Sequence, residues 1–155
     1  MSFNIVLVEP QIPPNTGNIG RLTIATHTRL HLVEPLGFDI SEKAVRRAGL
    51  DYWKHVDLTI HGSWGAFRGA LPPEARLWLF SKYAKRSVYD ADFSPGDWLV
   101  FGKETTGLSE EIQQAEDPSR LLRVPMPGSD VVRSLNLAGT VHIALYEAMR
   151  KSRVI

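Results

Sequence analysis

The chain has 155 residues, of which 43% are hydrophobic and 23% charged, with a formal net charge of +1 and no cysteine. These proportions exclude a disordered or membrane-embedded chain, since no apolar run approaches the ~20 residues of a membrane span. Disulfides, thiolate metal sites and a cysteine nucleophile are excluded too, which fits a cytoplasmic protein. Such balanced charge means that a nucleic-acid partner must be met by a local basic patch. The length predicts one domain over residues 1–155.

MSFNIVLVEPQ has no basic region ahead of its apolar run and meets Glu9-Pro10 instead of a small-residue cleavage site, so it reads as a first strand, Phe3 to Val8, and not as a signal peptide. Its nearly continuous apolar character predicts a central strand covered by helices on both faces. Pro10, Pro13 and Pro14 then hold the chain extended before a helix capped by Asn15 or Thr16, with Ile19, Leu22 and Thr26 on one face. Gly17 and Gly20 thin its first turn for close approach of backbone or ligand. Leu30 to Glu34 is a second strand, Ser41 to Ala48 a short capped helix carrying Arg46 and Arg47, and Val56 to His61 a third strand. Ser63 to Leu71 suits a helix and Leu77 to Phe80 a strand. The long polar segment SKYAKRSVYDADFSPGD holds Lys82, Lys85 and Arg86. Trp98 to Phe101 is a strand ending at Gly102, and a short helix starts at Ser109.

The final third is the most informative. In LLRVPMPGSDVVRSLNL a strand, Leu121 to Val124, meets Pro125, Pro127 and Gly128, after which Leu137, Val141, Leu145, Ala148 and Met149 return at helical spacing. A cap at Ser134 or Asn136 would aim free backbone N–H groups into the loop, beside Arg133. Strands alternating with helices predict an α/β fold with a mostly parallel sheet.

Familiar motifs are absent. Five residues separate Gly96 from Gly102-Lys103 where a P-loop has four, and Glu104 stands where a magnesium-holding Ser or Thr belongs. NTGNIG is not a dinucleotide fingerprint, and His27, His31, His55, His61 and His142 lack metal-ligand spacing. What remains are three strand-end joints rich in Gly, Pro, Asn and Ser: Asn15 to Arg21, Gly102 to Gly107 and Pro125 to Asn136. Ligands of open α/β sheets collect at the carboxyl ends of strands, so the three joints are expected to share one site.

NTGNIGR, FGKETTGLSEE and VPMPGSDVVRSLNL resemble the three sequence motifs of the SPOUT methyltransferases, and PPNTGNIGR with RRAGLDYW is similar to the small bacterial tRNA wobble-nucleotide 2′-O-methyltransferases. The resemblance spans nearly the whole chain. It implies a C-terminal trefoil knot, which sequence physics would not suggest because connections seldom thread. It also implies S-adenosylmethionine as methyl donor, tRNA as substrate, a homodimer, and no metal or membrane. Motif residues carry over to Asn15, Arg21, Glu104, Ser134 and Asn136 as the catalytic set. The donor would be held by Phe80, Ser81, Gly102, Glu104, Gly107, Val124, Pro125, Met126, Ser134 and Leu135. Arg46, Arg47 and Arg133, with Lys82, Lys85 and Arg86, are candidates for RNA phosphate contact. Ala138-Gly139, His27 and SKYAKR depart from the family pattern.

The implied reaction is an in-line attack of a ribose 2′-oxygen on a sulfonium methyl group. Guanidinium is always protonated in proteins, so Arg21 is expected near the donor as an orienter that steadies developing alkoxide, the proton passing to a phosphate oxygen or water. Methylation of another RNA ribose, or RNA binding without catalysis on the same fold, are the alternatives.

Overall fold

The computed structural model describes residues 2–128 and 130–155. Seven strands form one sheet: β1 (Asn4–Val8), β2 (Arg29–Val33), β3 (Leu58–His61), β4 (Leu77–Phe80), β5 (Arg86–Ser87), β6 (Trp98–Phe101) and β7 (Leu121–Arg123). Their order is β3-β2-β1-β6-β4-β7-β5, and every pairing is parallel. Among the described residues five α-helices accompany them, besides short 3-10 turns: α1 (Pro13–Ala25), α2 (Glu42–Arg47), α3 (Trp64–Ala70), α4 (Glu110–Gln114) and α5 (Leu137–Lys151).

Period-two alternation along the strands divides the core. Ile5 and Leu7 of β1 pack with Ile19 and Leu22 of α1 and Val141, Leu145 and Ala148 of α5. Val6 and Val8 point the other way, to Phe67 of α3, Ile112 of α4 and Leu108 just before that helix. All five residues of β1 are buried, as expected for a central strand with helices on both faces.

Local starts and stops follow from side-chain chemistry. Ser41, Ser63 and Ser109 cap α2, α3 and α4 by accepting from Ala44, Ala66 and Ile112 backbone N–H groups at 3.2, 3.0 and 3.2 Å. Of the two cap candidates for α5, Asn136 takes the role, its Oδ1 accepting from the Gly139 N–H at 3.2 Å. The start of α1 differs from expectation. Ile12 is the N-cap residue and makes no side-chain cap, because Pro13 and Pro14 occupy the first two helical positions, where a missing N–H costs nothing. Asn15, freed from capping, turns its side chain elsewhere.

Two further differences concern the polar segment after β4. Arg86–Ser87 is a seventh strand, too short to stand out by periodicity, added at the edge beside β7. Val88, Ala91 and Phe93 drop into the core and anchor the segment. Arg86, expected among phosphate ligands, is committed internally. Its guanidinium donates to Ser119 O at 2.8 Å and Asp90 O at 2.9 Å, and lies over the buried Trp78 ring.

Candidate active site

β4, β6 and β7 are adjacent in the sheet and end at Phe80, Phe101 and Arg123, so the three chains leave the sheet at one edge. Around these ends lies a cavity of about 590 Å³, within the ~300–1,000 Å³ usual for small-molecule sites. Phe80 and Phe101 stack 4.5 Å apart at 15° in its wall, joined by Leu122. The wall also takes in Ser81, Lys82 and Tyr83 after β4, Gly102 to Leu108, Arg123, Val124 and Met126 after β7, residues 132–137, and Ile12 and Asn15 from the start of α1. All three joints singled out in the sequence therefore meet here.

A chain of side-chain hydrogen bonds ties them together. Glu104 Oε1 accepts from the Gln11 N–H at 2.8 Å, and Oε2 accepts from the Ile12 N–H at 2.8 Å and from Asn15 Nδ2 at 3.2 Å. Asn15 Oδ1 accepts from Asn136 Nδ2 at 3.0 Å. The directions are forced from both ends: the Gly139 N–H fixes Asn136 Oδ1 at the helix cap, and a carboxylate can only accept. Each amide between them has one consistent orientation. Gln11 adds a second cross-link, its Oε1 accepting from the Thr105 N–H at 3.2 Å and Thr105 Oγ1 at 2.8 Å. Glu9, at φ 54°, turns the chain sharply out of β1 toward these partners, a left-handed conformation that costs about 1–3 kcal/mol.

The 102–107 joint is a closed hairpin, with Lys103 and Gly107 bridged and the Gly107 N–H donating to Lys103 O at 2.8 Å. A Cβ on Gly102 would lie 2.1 Å from Gly107 C and from Leu108 N. Close approach at Gly102 is thus between two stretches of the protein's own backbone, not first of all to a ligand. The same correction applies in α1: a Cβ on Gly20 would lie 2.5 Å from Trp53 Cζ3, and Gly17 faces Leu50 and Tyr52, whose hydroxyl donates to Gly17 O at 3.0 Å. The glycines of the first motif seat the aromatic residues of RRAGLDYW.

Asn15, Phe80, Ser81, Gly102, Glu104, Gly107, Val124, Met126, Arg133, Ser134, Leu135 and Asn136 border the cavity, whereas Pro125, Arg21, Arg46 and Arg47 do not. Arg21 is exposed. It lies six residues beyond Asn15 in α1, and a helix carries it ~9 Å along the axis and well round from Asn15. The expectation that its guanidinium lies near the donor is not met within one chain. Arg46 and Arg47 are exposed on α2, Arg46 paired with Glu42 one turn back.

Sequence spacing missed one cluster. His31 Nδ1 and His61 Nε2 are 3.0 Å apart on neighbouring strands, stacked beside Phe67 and Trp98. Burial, helped by the neighbouring His61, pushes the His31 pKa down from 6.5 to about 4, and burial lowers that of His61. His142 is exposed on α5, with Nδ1 2.6 Å from Ala138 O.

A parallel sheet with a cleft at its carboxyl edge, walled by glycine-rich backbone and crossed by a Glu-Asn-Asn relay, defines an α/β protein with a cavity of small-molecule size where several strands end. The profile of the SpoU rRNA Methylase family matches residues 2–146, and the chain belongs to that family. It is 51% identical to a tRNA (cytidine(34)-2′-O)-methyltransferase of Polaromonas sp. strain JS666, over 97% of this chain and 91% of that protein. A solved structure concerned with 2-OH methylation of C/U34 on tRNA superposes with a TM-score of 0.90 at 47% identity, covering 99% of this chain and 98% of the other. The SpoU methyltransferase AviRb from Streptomyces viridochromogenes, in complex with AdoMet, is 27% identical with a TM-score of 0.77, over 99% of this chain and 58% of that one.

Proposed function

We propose that this protein transfers a methyl group from S-adenosylmethionine to the ribose 2′-oxygen of the wobble nucleotide of tRNA. The observation that carries this reading is the Glu104–Asn15–Asn136 relay, which fastens all three motif joints around one cleft. The names of the relatives that cover the full chain point the same way.

The cleft's chemistry fits the donor. Leu135 and Met126, with the edge of Phe80, offer apolar surface to an adenine, and residues 102–107 and Val124 complete the cavity wall. Bound there, S-adenosylmethionine supplies a methyl group on a positively charged sulfur, and no metal enters the scheme. The chain's own residues hold and orient. Glu104 fixes the 102–107 hairpin against α1, Asn136 fixes the start of α5, and Ser134 stands at the cavity with a free choice of hydroxyl direction. Arg46, Arg47 and Arg133 supply phosphate contacts.

The rest of the reading is a single cytoplasmic domain with a trefoil knot formed by the segment from β7 to α5, acting as a homodimer. Because Arg21 is exposed away from its own chain's cavity, a second copy is the site its guanidinium would serve as an orienter of developing alkoxide. Labelled S-adenosylmethionine with bulk tRNA, followed by nucleoside mapping, tests the function. Label on the wobble ribose is expected. Label on another ribose moves the substrate, and RNA binding without transfer makes the protein a non-catalytic member of its fold.

A further inference from the structure

Beyond the cleft, the turn after β4 throws an aromatic ring into solvent. The Ser81 side chain accepts from the Tyr83 N–H at 3.2 Å, Ser81 O accepts from the Ala84 N–H at 3.2 Å, and Ala84 is buried. The turn is therefore pinned on both sides of Tyr83, yet Tyr83 itself is 76% exposed. A tyrosine held outward on an anchored turn presents its ring faces at little conformational cost. Lys82 Nζ lies 5.2 Å from the ring centroid.

Tyr83 stands between two hollows. On one side is the cleft described above, where Lys82, Arg123 and Arg133 have no salt-bridge partner among the described residues. On the other is a recess of about 850 Å³ with Leu108, Pro118 and Leu121 in its wall and the amides of Gln113 and Gln114. Its two carboxylates are already engaged, Glu110 by Gln114 Nε2 at 2.9 Å and Glu116 by Arg68 at 3.2 Å. Cations on one side of an exposed ring and a part-apolar hollow on the other, where Glu116 is neutralised by Arg68 and Glu110 stands at the far rim hydrogen-bonded to Gln114, suit a single-stranded nucleotide, with phosphate toward the lysine and base on the ring.

We propose that Tyr83 is the stacking platform for an unpaired base of the RNA substrate near the methylated nucleotide, with Lys82 and Arg123 taking the adjoining phosphates and the recess beside Gln113 receiving the base edge. This rests on the RNA-methylating function proposed above. Every base has a π-face, so the platform adds affinity without selecting sequence.

Tyr83→Ala, Tyr83→Leu and Tyr83→Phe are compared with wild type for affinity to a tRNA anticodon stem-loop, affinity to S-adenosylmethionine by calorimetry, and quenching of 2-aminopurine placed beside the wobble position. Loss of one base–aromatic stack should weaken RNA binding of the Ala variant roughly 5- to 150-fold. Leu should stay close to Ala because it lacks a π-face, while Phe should restore both affinity and quenching. Thermal unfolding serves as the control for folding, and neither Tm nor donor affinity should move. Equal RNA affinity in wild type and Ala, or full rescue by Leu, overturns the platform. Weakened donor binding with RNA binding intact overturns it as well, placing the ring on the donor's adenine. A wild-type protein that neither binds nor methylates tRNA fails the functional reading itself, whatever Tyr83 does.

Discussion

Glu104→Gln isolates the charge at the centre of the site while leaving side-chain size almost unchanged. The carboxylate accepts three hydrogen bonds, one on Oε1 from Gln11 and two on Oε2 from Ile12 and Asn15. Glutamine keeps one carbonyl oxygen, so whichever way it turns, its NH2 must face a backbone N–H. At best the oxygen faces Ile12 and Asn15, and the Gln11 N–H is lost to a donor–donor contact. Hydrogen bonds to charged groups contribute about 1.5–3 kcal/mol each, so the variant should lose about that much stability. For a chain of this size each kcal/mol moves Tm by about 2–4 °C, giving a fall of roughly 3–12 °C by calorimetry. The 102–107 hairpin also walls the cleft, and Kd for S-adenosylmethionine should rise about tenfold for each ~1.4 kcal/mol of positioning lost. An unchanged Tm together with unchanged donor affinity would refute the idea that Glu104 fastens the joints.

Gly102→Ala would place a methyl group 2.1 Å from the Gly107 and Leu108 backbone, so the hairpin must open; titration calorimetry should show at least about tenfold weaker donor binding, and wild-type affinity would show that the two strands of the hairpin can separate freely. His31 has its pKa lowered to about 4 in the folded protein, so the unfolded chain binds the extra proton between about pH 6.5 and 4. Stability should therefore be complete above this window and fall through it as pH drops, by up to about 1.4 kcal/mol per pH unit, and His31→Leu should flatten that slope in urea titrations; parallel slopes would remove His31 from the effect. Asn136→Asp keeps a good helix cap but loses the NH2 that donates to Asn15, so helix content by circular dichroism should hold while donor affinity falls several-fold; intact affinity would mean that the cap alone matters.

The sheet was legible because its strands are short apolar runs between breakers: Leu77–Phe80 and Trp98–Phe101 carry the boundaries that the sequence suggests. Serine caps were legible for the same local reason. What escaped was non-local. Two residues of β5 cannot show periodicity, and their place in the sheet comes from β7, far along the chain. Gly17 and Gly20 announce that something comes close, but only folding reveals Leu50, Tyr52 and Trp53 as the neighbours. His31 and His61 are 30 residues apart and meet because β2 and β3 pair. A cavity does open at the strand ends where the sequence suggested a site, while Arg21 stands outside its own chain's cavity, because proximity in a motif is not proximity in space once a helix has turned.

The relay explains why three separate joints carry polar motif residues at all. A parallel sheet positions a loop only as far as the last strand residue, at Phe80, Phe101 and Arg123. Beyond these points each joint is a turn that could settle in several ways, and glycine and proline alone set its local bends but not its distance from the next joint. Side chains that reach across must do that. Glu104 reaches back to residues 11–15, and Asn15 reaches on to Asn136, spanning sequence separations of 89 and 121 residues. A bond between neutral groups is worth about 0.5–1.5 kcal/mol and one to a carboxylate about 1.5–3 kcal/mol, so the four bonds along the relay amount to several kcal/mol. That is a large part of a typical 5–15 kcal/mol folding stability. The geometry of the cleft and the closure of the fold at this edge therefore draw on the same contacts, with the Gln11–Thr105 cross-link beside them, and a substitution that loosens one joint is expected to be felt at the other two.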